Sequence, residues 1–90
     1  MAEFKKEMHL RIIATDKVVV DETTDYVLVP LEDGGLGILP NHCPVIGALK
    51  EGQVKYHLNG SDKFVNISDG ILSIFDNEVA LTVTHAELVM

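Results

Sequence analysis

The stretch EVALTVTH, residues 78–85, alternates between two kinds of side chain along its length. Val79, Leu81 and Val83 occupy every second position, and alanine or threonine stands between them. Successive side chains of a β-strand point to opposite faces, so this period of two predicts a strand with one face in a core and the other in water. The segment VKYHL, residues 54–58, has the same period and predicts a second strand of this kind.

Turn signals follow three strand patterns in the second half of the chain. They are the dipeptides Asn59-Gly60, Asp69-Gly70 and Asp76-Asn77. Residues of these types tolerate the positive φ angles that tight hairpins require. We therefore predict three hairpins and a β-meander in this half.

The first half repeats this pattern less regularly. Candidate strands are HLRIIAT (9–15), KVVVD (17–21) and YVLVPL (26–31), and AELVM (86–90) is either a strand end or the start of a helix. No segment keeps an apolar face at helical spacing. Short strands separated by turn signals predict an all-β sandwich or barrel that fills residues 1–90 as a single domain.

The segment GGLGILPNHCP, residues 34–44, combines glycine and proline with apolar side chains. Glycine permits tight backbone geometry, and proline fixes φ and removes a hydrogen-bond donor. This composition predicts a stiff, partly unpaired ridge. Its apolar side chains, Leu36, Ile38 and Leu39, either pack into the sandwich or form a patch that a partner covers.

Composition excludes several classes of protein. The net charge is −7 and the few lysines are scattered, which argues against a nucleic-acid partner. The acidic clusters at residues 21–25 and 32–33 are either a solvated rim or a surface for a basic protein. One cysteine cannot form an internal disulfide. No apolar run is long enough to cross a bilayer, so we expect no direct membrane insertion.

No residue pattern supports catalysis. His42 and Cys43 are neighbours on an extended segment and point to opposite faces, so we expect Cys43 to be a small buried side chain. The histidines lack zinc-site spacing, and the glycines at residues 34–37 do not match a phosphate loop. We therefore expect no catalytic residue, no metal and no cofactor.

Elimination leaves a scaffold that presents surfaces. One hypothesis is that the chain is a component of a larger assembly. The alternative is a free-standing β-sandwich that binds a small ligand or a soluble protein partner in a concave pocket. An enzyme is the weakest of the three hypotheses.

The run GGLGILPNHCPVIGALKEGQV, residues 34–54, resembles the central signature of the epsilon subunit of F-type ATP synthases, called delta in mitochondria. That signature reads roughly G-x-L-G-I-x-P-x-H-A-P-x-x-x-x-L-x-x-G. The resemblance extends over roughly residues 8–87. It implies a flattened sandwich or barrel of ten β-strands in two antiparallel sheets.

The resemblance also implies a function. Family members are non-catalytic rotor subunits of the central stalk, which pack on the gamma subunit and sit on the polar loops of the membrane c-ring. They couple ion-driven rotation of the ring to ATP synthesis. The implied location is peripheral, on the cytoplasmic face of a bacterial plasma membrane or on the equivalent organelle membrane.

Two sets of interface residues carry over from the family. The end facing the c-ring would contain Asp33, Gly34, Gly35, Leu36 and His42. The face against gamma would contain Ala14, Cys43, Val45 and Gly47.

The sequence departs from the family at three places. Gly35 stands where an acidic residue is usual, and Glu32 or Asp33 can supply that charge instead. Cys43 replaces the usual alanine. Family members continue into a hairpin of two α-helices that inhibits ATP hydrolysis and in some members binds ATP. Since this sequence ends at Met90, we expect that helical domain to be absent.

Overall fold

The computed structural model describes residues 5–89, which fold into ten β-strands. The strands are β1 (Met8–Ala14), β2 (Lys17–Thr24), β3 (Val27–Leu31), β4 (Gly34–Ile38), β5 (Val45–Leu49), β6 (Gly52–Leu58), β7 (Ser61–Ile67), β8 (Gly70–Phe75), β9 (Glu78–Val83) and β10 (Ala86–Leu88). Nearly every connection is two residues long, and the exception is the six-residue segment 39–44 between β4 and β5.

One hydrogen-bonded path links the strands in the order β10-β7-β6-β3-β5-β8-β9-β1-β2, and β4 pairs with β3 outside this path. Strand β3 is the corner of the sheet. Its beginning pairs with β6 through Val27 and Leu28, and its last residue, Leu31, pairs with Leu49 of β5. The sheet therefore folds over at β3 into two layers, and its two ends approach each other where β2 packs against β6 and β10.

The core lies between the two layers. Alternate residues of every long strand face it, and the fully buried side chains include Leu10, Ile12, Leu49, Leu72 and Leu81. Isoleucine, leucine and valine make up most of this cluster, because branched side chains pack well on pleated surfaces.

Thr24 is buried among these apolar side chains and ties the end of β2 to the end of β6. Its hydroxyl donates to the backbone carbonyl of His57 at 2.5 Å and accepts from the backbone N–H of Tyr26 at 3.3 Å. The backbone N–H of His57 also donates to the Tyr26 carbonyl at 3.2 Å. These bonds satisfy the buried hydroxyl and connect the two layers.

The structure confirms the all-β class and the ten strands. It refines the arrangement in two ways. Hydrogen bonding is continuous through β3, so the two layers belong to one sheet. Strand β1 also lies parallel to β9, whereas its other neighbour, β2, is antiparallel. A parallel pair is possible here because a long stretch of chain separates β1 from β9.

Two of the three predicted hairpins are confirmed. Asn59-Gly60 joins β6 to β7 with φ angles of 52° and 80°, and Asp76-Asn77 joins β8 to β9 with φ angles of 50° and 63°. Positive φ at both central residues is typical of the type I′ turn.

The prediction for Asp69-Gly70 was wrong, because β7 and β8 do not pair. Strand β7 pairs with β6 and β10, while β8 pairs with β5 and β9, so this connection crosses from one layer to the other. Glycine is needed at position 70 for a close approach. A Cβ atom there would lie 2.1 Å from the carbonyl oxygen of Thr82 on β9.

Replacing Gly70 with alanine should therefore push β8 away from β9. We expect a loss of about 3 kcal/mol or more in the free energy of unfolding, the upper end of overpacking costs. Urea denaturation followed by circular dichroism measures it. The matched control is Gly35→Ala, whose Cβ would make only ordinary contacts, 3.7 Å from Leu28. Equal stability of the two variants would contradict this account of Gly70.

Candidate docking surfaces

Strands β5 and β8 present apolar side chains to solvent. Ile46 is 83% exposed, Ile71 57% and Phe75 66%, and all three alternate with core-facing residues of the same strands. Backbone pairing sets Ile46 opposite Ser73 and Ala48 opposite Ile71. We call these five outward residues the apolar face: Ile46, Ala48, Ile71, Ser73 and Phe75.

The apolar face carries no charged residue on either strand. A shallow cleft of about 400 Å³ opens at its edge, between Pro44 and Phe75. The face continues over Ala80 of β9, which is paired with Ser73. Isolated exposed apolar residues are ordinary in proteins, whereas a contiguous apolar patch is a candidate interaction surface.

The gamma-facing residues expected from the resemblance mostly lie outside this face. Val45 and Gly47 alternate with Ile46, are half-buried and face the core, and the side chain of Leu31 lies 3.6 Å from the position of a Cβ on Gly47. Ala14 is half-buried at the end of β1 and packs against the core.

The exposure of Ile46, Ile71 and Phe75 was not predicted from the sequence. A signal was present, because VIGAL (45–49) and GILSIF (70–75) carry apolar residues at both sets of alternate positions. A strand that is apolar on both faces either lies between two layers or presents one face to a partner.

The β3–β4 hairpin brings most of the expected c-ring residues together. Glu32 and Asp33 are exposed at its tip, and Gly34 follows with a φ of 128°, a conformation that favours glycine. Gly35 is exposed beside them, opposite Pro30. Leu36 is half-buried and packs against the core, so it does not join the exposed tip.

His42 lies at the opposite end of β4 from this tip. The strand runs from Gly34 to Ile38, a length of about 14 Å, before the segment 39–44 begins. One ring N–H of His42, at Nδ1, donates to the backbone carbonyl of Cys43 at 2.8 Å. The structure therefore does not bring His42 together with Asp33, Gly34 and Gly35.

The segment 34–44 divides into a strand and a loop. Gly34–Ile38 pairs with β3, so this part of the expected ridge is hydrogen-bonded. Ile38 is buried, whereas Leu39 is 59% exposed in the loop. The amide of Asn41 holds the loop in place: it donates to the carbonyl of Lys5 at 2.7 Å and accepts from the Lys5 backbone N–H at 3.1 Å.

Cys43 is exposed, which corrects the expectation of a buried cysteine. The expectation assumed an extended strand with one face in the core. Residues 39–44 instead leave the ladder before Cys43 and rejoin it at Val45. The thiol therefore lies on the surface of the loop, at the same end of the domain as His42 and Asn41.

One end of the domain is acidic. Backbone pairing places five residues of five strands in one row: Leu31, Leu49, Gly70, Val83 and Ala14. The connections next to these residues therefore lie at the same end of the domain. We call it the acidic end, because its connections and their flanks carry five carboxylates and two lysines. These are Asp16, Glu32, Asp33, Glu51 and Asp69, with Lys17 and Lys50.

Two kinds of site are missing from the described part of the chain. Within residues 5–89, no three His, Cys, Asp or Glu side chains are arranged to hold a metal ion. The same residues form no helix of the length and apolarity that crossing a membrane requires.

Known proteins with related sequences are epsilon chains of ATP synthase. The one from Nitratidesulfovibrio vulgaris (strain DP4) is 39% identical over 83 residues, which is 92% of this chain and 62% of the relative. The one from Desulfitobacterium hafniense (strain Y51) is 33% identical over 78 residues, 87% of this chain and 59% of the relative. This chain thus spans about three fifths of such relatives.

Two solved structures with this fold come from mitochondrial ATP synthases. A chain of the Euglena gracilis OSCP/F1/c-ring structure matches with a TM-score of 0.90 at 18% identity, covering 97% of this chain and 56% of that one. A chain of the Tetrahymena thermophila central stalk/c-ring structure matches with a TM-score of 0.75 at 13% identity, covering 94% of this chain and 68% of that one.

The family model for the β-sandwich domain of the ATP synthase delta/epsilon chain matches residues 7–89, nearly the whole sequence. Its extent agrees with the ten strands, which run from Met8 to Leu88. The relatives are similar over the same region. This chain therefore belongs to the ATP synthase delta/epsilon family, as its β-sandwich domain.

Proposed function

We propose that this domain is a non-catalytic part of the rotor of an F-type ATP synthase, where it links the gamma subunit to the membrane c-ring. In this role it helps to couple ion translocation to ATP synthesis. It would sit peripherally on the cytoplasmic face of a bacterial plasma membrane, or on the equivalent organelle membrane, held there by its partners. Family membership supports the proposal, and so does the presence of two separate docking surfaces.

The apolar face carries the proposal. We assign it to the gamma subunit, because an uncharged patch on a sheet suits a partner that stays bound. Ile46 is the most exposed of the large apolar side chains of this face, so nearly all of its side chain is available for burial. A few well-buried anchor residues supply most of the binding free energy of an interface. Cys43, expected to face gamma, is exposed in the loop that leads into β5.

The acidic end is the second surface, and we assign it to the c-ring. The exposed tip of the β3–β4 hairpin projects Glu32 and Asp33, and the connection 50–51, which carries Glu51, lies at the same end of the domain. Complementary charge speeds association and fixes register more than it adds affinity. The acidic tip supports the expectation that nearby carboxylates supply the charge that Gly35 lacks.

The two surfaces differ in position, so both partners can bind at once. The apolar face is the outer side of β5 and β8, whereas the acidic end is formed by connections at one end of the strands. The β domain carries both surfaces itself, so assembly does not need a helical hairpin. A paired sheet with two-residue connections transmits force with little deformation, since few backbone groups are free to move.

Replacing Ile46 with aspartate tests the assignment to gamma. We expect the isolated domain to keep its unfolding free energy within about 0.5 kcal/mol, because Ile46 is exposed. Binding to the gamma subunit of the same organism should weaken at least about 30-fold, the loss typical of a buried anchor residue. Titration calorimetry measures the dissociation constant.

The matched control for this change is Leu88→Asp, an exposed apolar residue on β10 in the other layer. Gamma binding should be unaffected by it. If Ile46→Asp binds gamma as tightly as the unchanged domain, the apolar face is not the gamma surface. If the unchanged domain does not bind gamma at all, the alternative of a free-standing β-sandwich with another ligand or partner replaces the proposal.

Replacing Asp33 with lysine tests the assignment to the c-ring. The change reverses one exposed charge at the hairpin tip, so we expect roughly tenfold weaker binding to detergent-solubilised c-ring at low salt, and a smaller effect at high salt. Surface plasmon resonance at two salt concentrations measures it. Glu7→Lys, an exposed reversal just before β1, is the control. Equal losses for both variants would indicate a general charge effect without a specific acidic surface.

A further inference from the structure

An ionic cluster lies beside the apolar face, on the same outer side of the sheet. Pairing across the strands sets Phe75 opposite Glu78 and Glu78 opposite His9. The imidazole of His9 lies between two carboxylates, with Nδ1 at 2.9 Å from Glu78 on β9 and Nε2 in hydrogen-bond contact with Asp21 on β2. Three neighbouring strands thus meet at one histidine.

The two carboxylate contacts favour the protonated form of His9. A neutral imidazole carries one N–H and can donate to only one carboxylate, while its second nitrogen would place a lone pair against the other. The protonated ring donates from both nitrogens and satisfies both partners. We propose that His9, held between Asp21 and Glu78, is a proton-dependent clamp that fastens β1 to both of its neighbours.

The surrounding charges favour the protonated form. The pKa of His9 is raised above 6.5, first by its hydrogen bond to Asp21 and then by its hydrogen bond to Glu78. Partial burial opposes this rise, and it is the smaller effect. The pKa of Asp21 is lowered, chiefly by the same hydrogen bond and in part by Arg11, which lies opposite Asp21 on β1.

The position of His9 in the sheet gives the clamp a role in holding β1 between its neighbours. Strand β1 is parallel to β9, and β2 is the last strand of the path, with no ladder partner on its other edge among residues 5–89. The backbone N–H of His9 donates to the carbonyl of Asn77 at 2.9 Å, so the ring stands where β1 enters the sheet. The clamp therefore connects β2, β1 and β9 at the point where β1 begins.

The direction of the pH effect follows from the raised pKa. A group whose pKa is higher in the folded state stabilises the fold fully below its unfolded value, near 6.5, and this stabilisation is lost as the pH rises through the folded pKa. The clamp should therefore be complete in mildly acidic solution and open in alkaline solution. All three side chains reach solvent, so salt should weaken it.

Titration of the histidines by two-dimensional ¹H–¹⁵N NMR tests the clamp directly in the 90-residue chain. His9 should carry protons on both nitrogens at about pH 6 and titrate above its ordinary pKa. Asp21→Asn and Glu78→Gln should each lower that pKa, whereas Glu87→Gln on β10 should not. A His9 pKa at or below the ordinary value, or one that neither variant changes, would overturn the proposal.

Urea denaturation gives a second, independent readout. The urea midpoint of the unchanged domain should fall between about pH 6 and about pH 8.5. In His9→Gln this decrease of the urea midpoint with rising pH should be smaller by roughly half or more, because glutamine cannot carry a positive charge. His85→Gln, an exposed histidine at the other end of the domain, should leave it intact. An unchanged pH dependence in His9→Gln would count against the clamp.

Discussion

The fold depends on the way strand β3 shares one edge between two other strands. Its beginning pairs with β6 and its end with β5, so one continuous sheet turns through a corner and closes over its own apolar side. If β3 paired with one strand alone, the ladder would divide into two sheets joined only by packing.

The sequence predicted the elements better than the surfaces, and the reason is physical. Alternation identifies which residues share a face, as Val79, Leu81 and Val83 do, and all three are buried. It does not say which face is buried when both are apolar, so the sequence of β5 alone does not tell that Val45 is half-buried and Ile46 exposed. The Asp69-Gly70 signal failed for a related reason. Glycine is used both in tight turns and where two backbones approach closely. Only the pairing of β8 with β9 shows that Gly70 serves a close approach.

The outer side of one layer combines two kinds of chemistry. Uncharged side chains cover β5 and β8, whereas β1 and β2 carry His9, Arg11 and Asp21, and Glu78 stands on the boundary. Burial of apolar area contributes binding affinity but does not orient a partner, whereas fixed charges orient it. A partner seated on the first region would therefore meet oriented charges at its border, which limits the angles at which it can lie.

The short connections restrict how this family member can vary. A β-strand that slips by one residue turns every side chain to the opposite face. An insertion of one residue into a two-residue connection requires another type of turn, and if the pairing register slips instead, core side chains of that strand turn toward water. Among the described connections, the segment 39–44 alone has slack to accept extra residues. Changes in chain length between homologous domains should accordingly accumulate there, next to the loop cysteine, and leave the rest of the barrel constant in length.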